Sequence, residues 1–380
     1  MQNYPSGILK KIDERKRNNS FRNLNDFPDQ QIDFSSNDYL GFARSASIFK
    51  QASTILENNY LLKNGATGSR LISGNYSLYN TVENQLAKFH QSESCLLFNS
   101  GYDANLGLLS SVPQRNDLIL FDELSHASIR DGIRLSLAKS QKFQHNNFID
   151  LVEKITKLKG KIENIFVVTE SVFSMDGDSP DLKKLAAICE EYNCFLIVDE
   201  AHAVGVFGEQ GSGLIQQLQL EDKIFARIIT FGKAIGAHGA AILGDQKLRH
   251  FLTNYARSFI YTTALPPHSL ATIYAAYQEL ETSDSPKKLQ QNIIVFKKLQ
   301  QELDLEKYFI ESDSAIQSCV FSGITRVKEI SALLAEKGFW VKAILAPTVA
   351  KDKERLRFCL HSFTAKEEME EALSLLKQFV

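Results

Sequence analysis

Short apolar runs alternate with amphipathic stretches through the middle of the chain. The runs are SCLLFNSG (94–101), DLILFDELSH (117–126), NIFVVTES (164–171), CFLIVDE (194–200) and ARIITFGK (226–233). Between them, FIDLVEKITKLKG (148–160) and PDLKKLAAICEEYN (180–193) place apolar residues on one face of a helix. Continuously apolar strands separated by amphipathic helices predict an α/β fold, in which helices cover both faces of a mostly parallel sheet.

The pattern changes after about residue 275. SAIQSCVFSG (314–323), GFWVKAILAPTV (338–349) and RLRFCLHSFT (355–364) predict strands with helices between them. The closing stretch 364–379 predicts a helix that begins with a capping box from Thr364 to Glu367. Its expected buried face consists of Met369, Ala372, Leu373 and Leu376.

Length and pattern together predict a chain of three parts. Its 380 residues exceed one small core, since domains usually contain about 100–200 residues. Residues 1–38 are expected to form an N-terminal helix and a polar arm. Residues 39–275 are expected to form the large α/β domain, and residues 276–380 a smaller α+β domain.

Composition excludes several classes of protein. A hydrophobic content of 44% with 23% charged residues is ordinary for a soluble enzyme. The net charge is -2 and no long basic run follows the short KKIDERKR near the N-terminus, which counts against a nucleic-acid motor. The five cysteines are scattered without a C-x-x-C pair, so neither a disulfide framework nor a metal site is expected. Without an apolar run of about 20 residues or a signal peptide, no membrane span is predicted and the expected location is the cytoplasm.

The tetrapeptide Asp-Glu-Ala-His at 199–202 also occurs in helicases. A nucleotide motor of that kind needs a phosphate loop, G-x-x-x-x-G-K-[ST]. The only Gly-Lys pair in suitable context is Gly232-Lys233, which has Arg227 at the upstream glycine position and Ala234 after the lysine. The helicase interpretation therefore fails.

Polar or small residues end each predicted strand of the large domain. They are Asn99-Ser100-Gly101, Asp122, Glu170-Ser171, Asp199-Glu200 and Gly232-Lys233. Ligands of open α/β sheets bind beyond the carboxyl ends of the strands. We therefore expect these residues to form one site.

Four side chains at these ends suggest a particular chemistry. A poorly solvated amine at Lys233 can form a Schiff base with an aldehyde. Asp199 can pair with a pyridinium nitrogen, His202 can hydrogen-bond the same ring, and His126 can stack over it. Each also has an ordinary interpretation, as a surface lysine, a capping aspartate or a structural histidine. The small residues of FNSGYDAN (98–105), which begin a helix, can hold a phosphate on backbone N–H groups.

Along the chain, the phosphate-binding residues come first, followed by the stacking histidine, the carboxylate for the pyridinium nitrogen and the Schiff-base lysine. With these groups in this order, the sequence resembles the α-oxoamine synthases. These are pyridoxal-phosphate enzymes whose large domain has the aspartate-aminotransferase fold (fold type I). Nine motifs spanning nearly the whole chain carry the resemblance. They are DFSSNDYLGF, GATGSRLISGN, FNSGYDAN, DELSHAS, VVTESVFSMDGD, IVDEAHAVG, TFGKAIG, FIYTTALPP and APTV…RLR.

The resemblance implies a role for each matching residue. Lys233 matches the Schiff-base lysine, Asp199 the pyridinium partner, His202 the group near the phenolic oxygen and His126 the stacking imidazole. The remaining matches are Gly101, Tyr102 and Thr230 at the phosphate, Thr262 at the phosphate from a partner subunit, Ser174 near the cofactor, Asn37 and Arg357 at the amino-acid carboxylate, and Arg22 near the acyl substrate. The implied assembly is a homodimer with the active site at the subunit interface.

Within this family, GATGSRLISGN and FIYTTALPP resemble the biotin-pathway branch, which joins L-alanine to a pimeloyl thioester of coenzyme A or a carrier protein. Other branches with the same core are glycine C-acetyltransferases, 5-aminolevulinate synthases, serine palmitoyltransferases and autoinducer ketone synthases. An aminotransferase, a lyase or an inactive scaffold subunit are further alternatives. Departures from the family pattern leave acyl recognition open; they lie at Asp103, at Ala203-Val204, in residues 345–354 and in the short region between Arg22 and Asp33.

Overall fold

The structure is a computed structural model that describes residues 4–24, 30–158 and 162–380, and it divides into two compact units. The larger unit comprises residues 37–174 and 178–290, and the smaller comprises residues 1–36, 175–177 and 291–380. Residues 25–29 of the expected polar arm lie outside the described residues. The division into three parts stays a prediction.

A seven-stranded sheet forms the centre of the larger unit. Its strands are β2 (Ser94–Phe98), β3 (Leu118–Asp122), β4 (Lys139–Phe143), β5 (Ile165–Glu170), β6 (Phe195–Asp199), β7 (Ala226–Thr230) and β8 (Ala240–Gly244). Their spatial order is β2-β8-β7-β6-β5-β3-β4, and β8 alone among them pairs antiparallel with its neighbours. The sheet is thus mostly parallel, as the continuous apolar runs predict.

Two strands of this sheet carry no long apolar signal in the sequence. β4 reads KSQKF, and four of its five residues are exposed because it forms the sheet edge. β8 reads AAILG and lies between β2 and β7. An edge strand needs no apolar run, and a short apolar run beside glycines does not distinguish a strand from a helix or loop. The sequence pattern therefore predicted neither β4 nor β8.

Helices of the larger unit pack around this sheet. They are α2 (Ala46–Asn58), α3 (Ser77–Phe89), α4 (Gly101–Ser111), α5 (Ala127–Leu135), α6 (Phe148–Leu158), α7 (Leu182–Glu191), α8 (Leu214–Gln217), α9 (Gln246–Tyr255), α10 (Arg257–Ile260) and α11 (Pro267–Leu280). Leu108, Ile129, Ile197, Ile228 and Leu252 belong to one apolar cluster that joins α4, α5 and α9 to the sheet. Burial of such side chains is the main favourable term in folding.

The smaller unit contains two short sheets. Its strands are β1 (Ile32–Asp33), β9 (Ile316–Val320), β10 (Phe339–Trp340), β11 (Lys342–Ile344) and β12 (Arg355–Cys359), and its helices are α1 (Ser6–Arg17), α13 (Ile324–Glu336) and α14 (Lys366–Lys377). β1 pairs with β10 in parallel, and β11, β12 and β9 form an antiparallel sheet in that order. Helix α12 (Ser285–Glu302) contains the change from one unit to the other.

The last helix confirms its predicted buried face but not its predicted cap. Met369, Ala372, Leu373 and Leu376 are fully buried. The cap lies one residue later than predicted, because Ala365 is the N-cap and the Glu368 carboxylate accepts its backbone N–H at 2.7 Å. The Thr364–Glu367 capping box is therefore wrong.

Two observations bear on thiols and membranes. All five cysteines are free; Cys194 is half-buried and the other four are buried. Within the described ranges, helices long and apolar enough to cross a bilayer are absent.

A buried ion pair fixes the ends of two central strands. The Arg227 guanidinium donates to Glu200 Oε2 from Nη2 at 2.7 Å and from Nε at 3.0 Å. Glu200 Oε1 accepts the backbone N–H of Ile215, and Arg227 Nη1 donates to the His90 carbonyl. With 4% and 0% of the two side chains exposed, neither charge has water as an alternative partner.

Removing Glu200 is therefore expected to destabilise the larger unit strongly. Glu200→Ala leaves a buried, uncompensated guanidinium, which typically lowers the free energy of unfolding by roughly 3–5 kcal/mol. The exposed pair between Lys223 and Glu190 provides the control, and Glu190→Ala should cost less than about 1 kcal/mol. Urea unfolding followed by circular dichroism measures both; equal costs would contradict the expectation.

Candidate active site

A cavity of about 230 Å³ lies in the larger unit at the carboxyl ends of its strands. Its lining residues come from the ends of β5, β6 and β7, the start of α4 and the loops that follow the strands. They are Ser100, Gly101, Tyr102, Asn105, His126, Ser128, Glu170, Ser174, Asp199, Ala201, His202, Thr230, Gly232, Lys233, His238 and Gly239. Most of the polar strand ends named from the sequence thus meet in one place.

Asp122 lies apart from this cavity. Its Oδ1 accepts from His145 Nδ1 at 2.9 Å, and His145 Nε2 contacts Asp178 Oδ2 at 2.8 Å. Burial lowers the pKa of His145, but the hydrogen bonds to Asp122 and Asp178 outweigh it and raise the pKa to about 9. Asp122 therefore holds a charged histidine rather than a ligand.

Lys233 reaches the cavity from a tight turn after β7. The Gly236 N–H donates to the Lys233 carbonyl at 2.9 Å, and Gly236 has φ +64°. A Cβ on Gly236 would lie 2.2 Å from the Ala43 nitrogen, so only glycine fits there. The spacing of Lys233 and Gly236 in FGKAIG is thus a requirement of the turn that presents the lysine.

Asp199 ends β6 and is 5% exposed. Its Oδ1 accepts the backbone N–H of Ala201 at 2.9 Å, and its Oδ2 accepts from Asn105 Nδ2 at 2.8 Å. These donors stabilise the ionised form of a carboxylate that lines the cavity. Asp199 can therefore present negative charge to a cationic ligand group.

His126 caps helix α5 beside Asp199. Its Nδ1 lies 2.7 Å from Ser128 Oγ and 3.3 Å from the Ser128 backbone nitrogen. Its own backbone N–H donates to Glu170 Oε1 at 2.6 Å. Loss of hydration lowers the pKa of His126, although the charge of Asp199 acts in the opposite direction.

His202 is buried and hydrogen-bonded through Tyr39. The Tyr39 hydroxyl lies 2.8 Å from His202 Nδ1 and 3.1 Å from Asn37 Oδ1, to which it donates. Tyr39 is fully buried, so this contact holds the imidazole in one orientation. His202 lines the cavity, whereas Asn37 does not.

The start of α4 and the end of β7 form the most polar wall. Ser100 is the N-cap of α4 and accepts the Asp103 N–H. The Oγ1 of Thr230 is buried without a hydrogen-bond partner. A Cβ on Gly101 would lie 2.5 Å from Thr230 Cγ2, so the glycine keeps this wall open. A helix N-terminus beside an unused hydroxyl is suited to an anion.

The other residues named from the sequence occupy varied positions. Tyr102 and Ser174 line the cavity, and the Tyr102 hydroxyl donates to Asp131. Thr262 does not line it, and its Oγ1 accepts from Asn99 Nδ2 at 3.0 Å.

Arg22 and Arg357 belong to the smaller unit. There, Arg22 Nη2 donates to Thr348 Oγ1 at 3.1 Å, and Arg357 Nη1 lies 2.9 Å from Cys359 Sγ.

Three of the departures from the family pattern have different surroundings, and the fourth, the short region between Arg22 and Asp33, includes residues outside the described ranges. Ala203 and Val204 are fully buried, which makes them part of the core. The Asp103 carboxylate accepts from the Ser100 hydroxyl at 2.8 Å, at the start of α4. Residues 345–354 belong to the smaller unit.

Sequence reasoning gave no chemical role to several residues that line the cavity, among them Glu170, Asn105, Ser128 and His238. Glu170 is buried beside Asp199, its partner in the pairing of β5 with β6. Burial and the charge of Asp199 raise the pKa of Glu170 to about 8. The position of Glu170 at a strand end was visible in the sequence, but its closeness to Asp199 depends on strand order.

Comparison with known proteins adds independent evidence. The family model described as aminotransferase class I and II matches residues 29–376. A curated 8-amino-7-oxononanoate synthase of Emericella nidulans is 42% identical over 374 residues, covering 93% of this chain and 90% of the relative.

Two solved structures are also similar to this chain. An 8-amino-7-oxononanoate synthase from Francisella tularensis is 31% identical with a TM-score of 0.78, covering 92% of this chain and 98% of the other. A serine palmitoyltransferase variant from S. paucimobilis with bound PLP–myriocin aldimine has the same fold at 23% identity. Its TM-score is 0.88, and the match covers 98% of this chain and 96% of the other.

The raised pKa of Glu170 predicts a measurable pH dependence of stability. Folding takes up a proton between the ordinary glutamate pKa of 4.5 and the folded value of about 8. The unfolded chain binds fewer protons in this window, so Glu170 lowers stability as pH rises. Glu170→Gln removes this proton, and its stability relative to the parent should therefore increase from about pH 5 to about pH 8.

Urea unfolding of the cofactor-free protein measures this difference. Glu190→Gln, at an exposed carboxylate, is the control and should differ from the parent equally at both pH values. A Glu170→Gln difference that does not change with pH would contradict the expectation.

Proposed function

The chain belongs to the aminotransferase class I and II family, and we propose that within it the chain condenses L-alanine with a pimeloyl thioester. The products are 8-amino-7-oxononanoate, carbon dioxide and a free thiol. The predicted family, fold and enzyme class are confirmed: this is an acyltransferase-type enzyme of fold type I. The predicted cofactor, pyridoxal 5'-phosphate, is confirmed with them.

The residues of the cavity fit this cofactor. Thr230 offers a buried hydroxyl without a partner, and Gly101 keeps the space beside it open. Asp199 supplies a carboxylate for the ring nitrogen, and Lys233 supplies an amine for the aldehyde. When bound, pyridoxal phosphate supplies an aldehyde for amines and a ring that accepts the electron pair left at Cα.

Each of four side chains in the cavity is assigned its own role in the reaction. The Lys233 amine lines the cavity and would act as the general base that removes the Cα proton of the bound amino acid. Asp199, which accepts from the Asn105 amide and the Ala201 N–H, would hold a proton on the ring nitrogen. His202 is assigned to the phenolic oxygen, and His126 to stacking on the ring and to hydrogen bonding of the acyl oxygen.

The remaining contacts follow the resemblance and are proposed on that ground. Gly101 and Tyr102 contact the phosphate through their backbone, and Ser174 lies near the cofactor. Asn37 and Arg357 bind the amino-acid carboxylate, since arginine binds carboxylates in a bidentate manner.

Arg22 is assigned to the acyl substrate, carried by coenzyme A or a carrier protein. It lines a cavity of about 690 Å³ in the smaller unit together with Arg15, Lys328 and Lys342, which supports an anionic occupant.

We further propose a cytoplasmic homodimer. Leu135, Leu137, Tyr255 and Tyr261 are more than half exposed and line an apolar groove of about 1210 Å³ on the larger unit. Exposed apolar patches of this kind mark protein interfaces. In such a dimer Thr262, which does not line the cavity of its own chain, is assigned to the phosphate of the partner subunit.

The observation that carries the proposal is one cavity that unites Lys233, Asp199, His126, His202 and Thr230 in a chain 42% identical to an 8-amino-7-oxononanoate synthase. The test adds alanine, glycine and serine separately to the purified protein and records its visible absorption. We expect a cofactor band that alanine shifts at the lowest concentration. Lys233→Ala should abolish both the band and the release of thiol from pimeloyl thioester.

Other outcomes would replace the proposal. A preference for glycine or serine would assign the chain to another branch of the α-oxoamine synthases. Turnover of amino acids without a thioester would indicate an aminotransferase or lyase. Absence of the band after addition of pyridoxal phosphate would indicate a scaffold subunit.

The hydroxyl of Thr230 is expected to contribute directly to cofactor affinity. Thr230→Val keeps the shape but removes the buried donor, and a hydrogen bond to a charged group contributes about 1.5–3 kcal/mol. The dissociation constant of pyridoxal phosphate, measured by absorbance titration, should therefore rise roughly 10- to 100-fold. The control is Thr253→Val on α9, where the hydroxyl bonds the Arg249 carbonyl instead. Equal affinities of the Thr230 variant and the parent would contradict the assignment.

A further inference from the structure

An uninterrupted chain of hydrogen bonds links Asp199 to His126. Asp199 Oδ2 accepts from Asn105 Nδ2 at 2.8 Å, and the same nitrogen donates to Ser128 Oγ at 3.1 Å. Ser128 Oγ lies 2.7 Å from His126 Nδ1. Asn105 and Ser128 are 2% and 1% exposed, so water does not compete for these bonds.

The protons along this chain have only one consistent arrangement. A carboxylate only accepts, so Asn105 must turn its NH2 group toward Asp199. The amide has two N–H bonds; the second donates to Ser128 Oγ. The Ser128 hydroxyl is then left to donate its single proton to His126 Nδ1.

The amide oxygen of Asn105 stays unpaired in this orientation. Asn105 Oδ1 is buried without a hydrogen-bond partner. Turning the amide over would place that oxygen against the carboxylate of Asp199, which is repulsive. The Asp199 carboxylate therefore determines the orientation of the Asn105 amide, although the amide oxygen is left without a partner.

A second donor acts on the same nitrogen. The Ser128 backbone N–H points to His126 Nδ1 at 3.3 Å. A backbone amide cannot accept, so this longer contact also favours an unprotonated Nδ1. Both donors therefore agree on the state of the ring.

We propose that Asp199, acting through the positioning residues Asn105 and Ser128, fixes His126 as the neutral tautomer that carries its proton on Nε2. The carboxylate that serves the ring nitrogen of the cofactor thereby also sets the hydrogen-bonding direction of the imidazole. His126 is then a hydrogen-bond donor at Nε2, as stabilisation of a developing oxyanion requires.

The proposal rests on the proposed function only for the group that receives this hydrogen bond. The tautomer itself is a property of the folded chain. Charged groups that also act on His126 are Lys233, Arg130 and Asp131. They change the extent of protonation, but they do not hydrogen-bond Nδ1 and so do not choose between its two neutral forms.

The test reads the tautomer directly. Two-bond ¹H–¹⁵N correlation spectra of ¹⁵N-histidine-labelled, cofactor-loaded protein at about pH 8 distinguish a protonated Nδ1 from a protonated Nε2. His126→Gln identifies the signal. We expect the parent to show His126 protonated on Nε2 alone.

Asn105→Asp reverses the chain without changing its shape. The carboxyl oxygen that replaces Asn105 Nδ2 shares a proton with Asp199 and accepts from the Ser128 hydroxyl. Ser128 Oγ no longer donates to the ring, so only the longer backbone contact favours Nε2–H and the tautomer ratio of His126 should move toward Nδ1–H. A purely structural role of Asn105 would not move the tautomer ratio.

Two serine variants complete the experiment. Ser128→Ala removes one of the two donors and should move the tautomer ratio roughly tenfold toward Nδ1–H, in line with the value of one hydrogen bond. Ser125→Ala is the matched control, since Ser125 is buried just before α5 with an unpartnered hydroxyl and should leave the spectrum unchanged. Ser128→Ala also serves if Asn105→Asp does not fold.

The proposal is overturned if the parent shows Nδ1–H or a charged imidazole, if Asn105→Asp leaves the tautomer ratio of the parent unchanged, or if Ser128→Ala and Ser125→Ala give the same spectrum. None of these spectra needs a substrate. Failure of the relay is therefore distinct from failure of the alanine reaction.

Discussion

Much of the site depends on one buried carboxylate, that of Asp199 at the end of the central strand β6. A buried negative charge is costly unless donors surround it. The Ala201 N–H and the Asn105 amide supply that stabilisation, and Asn105 in turn orients Ser128 and His126. The position of Asp199 thus determines both where a cationic ring can bind and how the neighbouring imidazole is oriented.

A second carboxyl beside the first shows how the protein limits its buried charge. Glu170 and Asp199 are paired residues of β5 and β6, so their side chains share one environment. Glu170 accepts the N–H of His126, and burial raises its pKa to about 8. Glu170 holds the backbone of His126, while Asp199 accepts from Asn105 and from the Ala201 N–H. The raised pKa of Glu170 follows from its burial and from the neighbouring Asp199 carboxylate.

Prediction from sequence succeeded where a local pattern had only one structural meaning. The apolar runs that became β5 and β6 and the turn glycine after Lys233 are examples, because strands buried on both faces and positive φ values restrict the residues allowed. Prediction from sequence failed where contacts with neighbouring elements determined the local structure. β4 is a polar edge strand, and the cap of α14 moved from Thr364 to Ala365. In the sequence, Asn105 and Ser128 resemble ordinary helix residues, because their link to Asp199 at the end of β6 exists only in the folded chain.

By itself, the sequence determined the alternation of strands and helices, the polar residues that end each strand, and the motifs that mark the family. These are short-range properties, encoded by periodicity and by residues with special backbone requirements. Tertiary structure alone decided that Glu170 faces Asp199, that Thr230 keeps an unpaired hydroxyl, and that Asn105 joins Asp199 to Ser128. Such contacts join residues far apart in the chain, so strand order and burial, rather than local pattern, assign each group its partner and its proton.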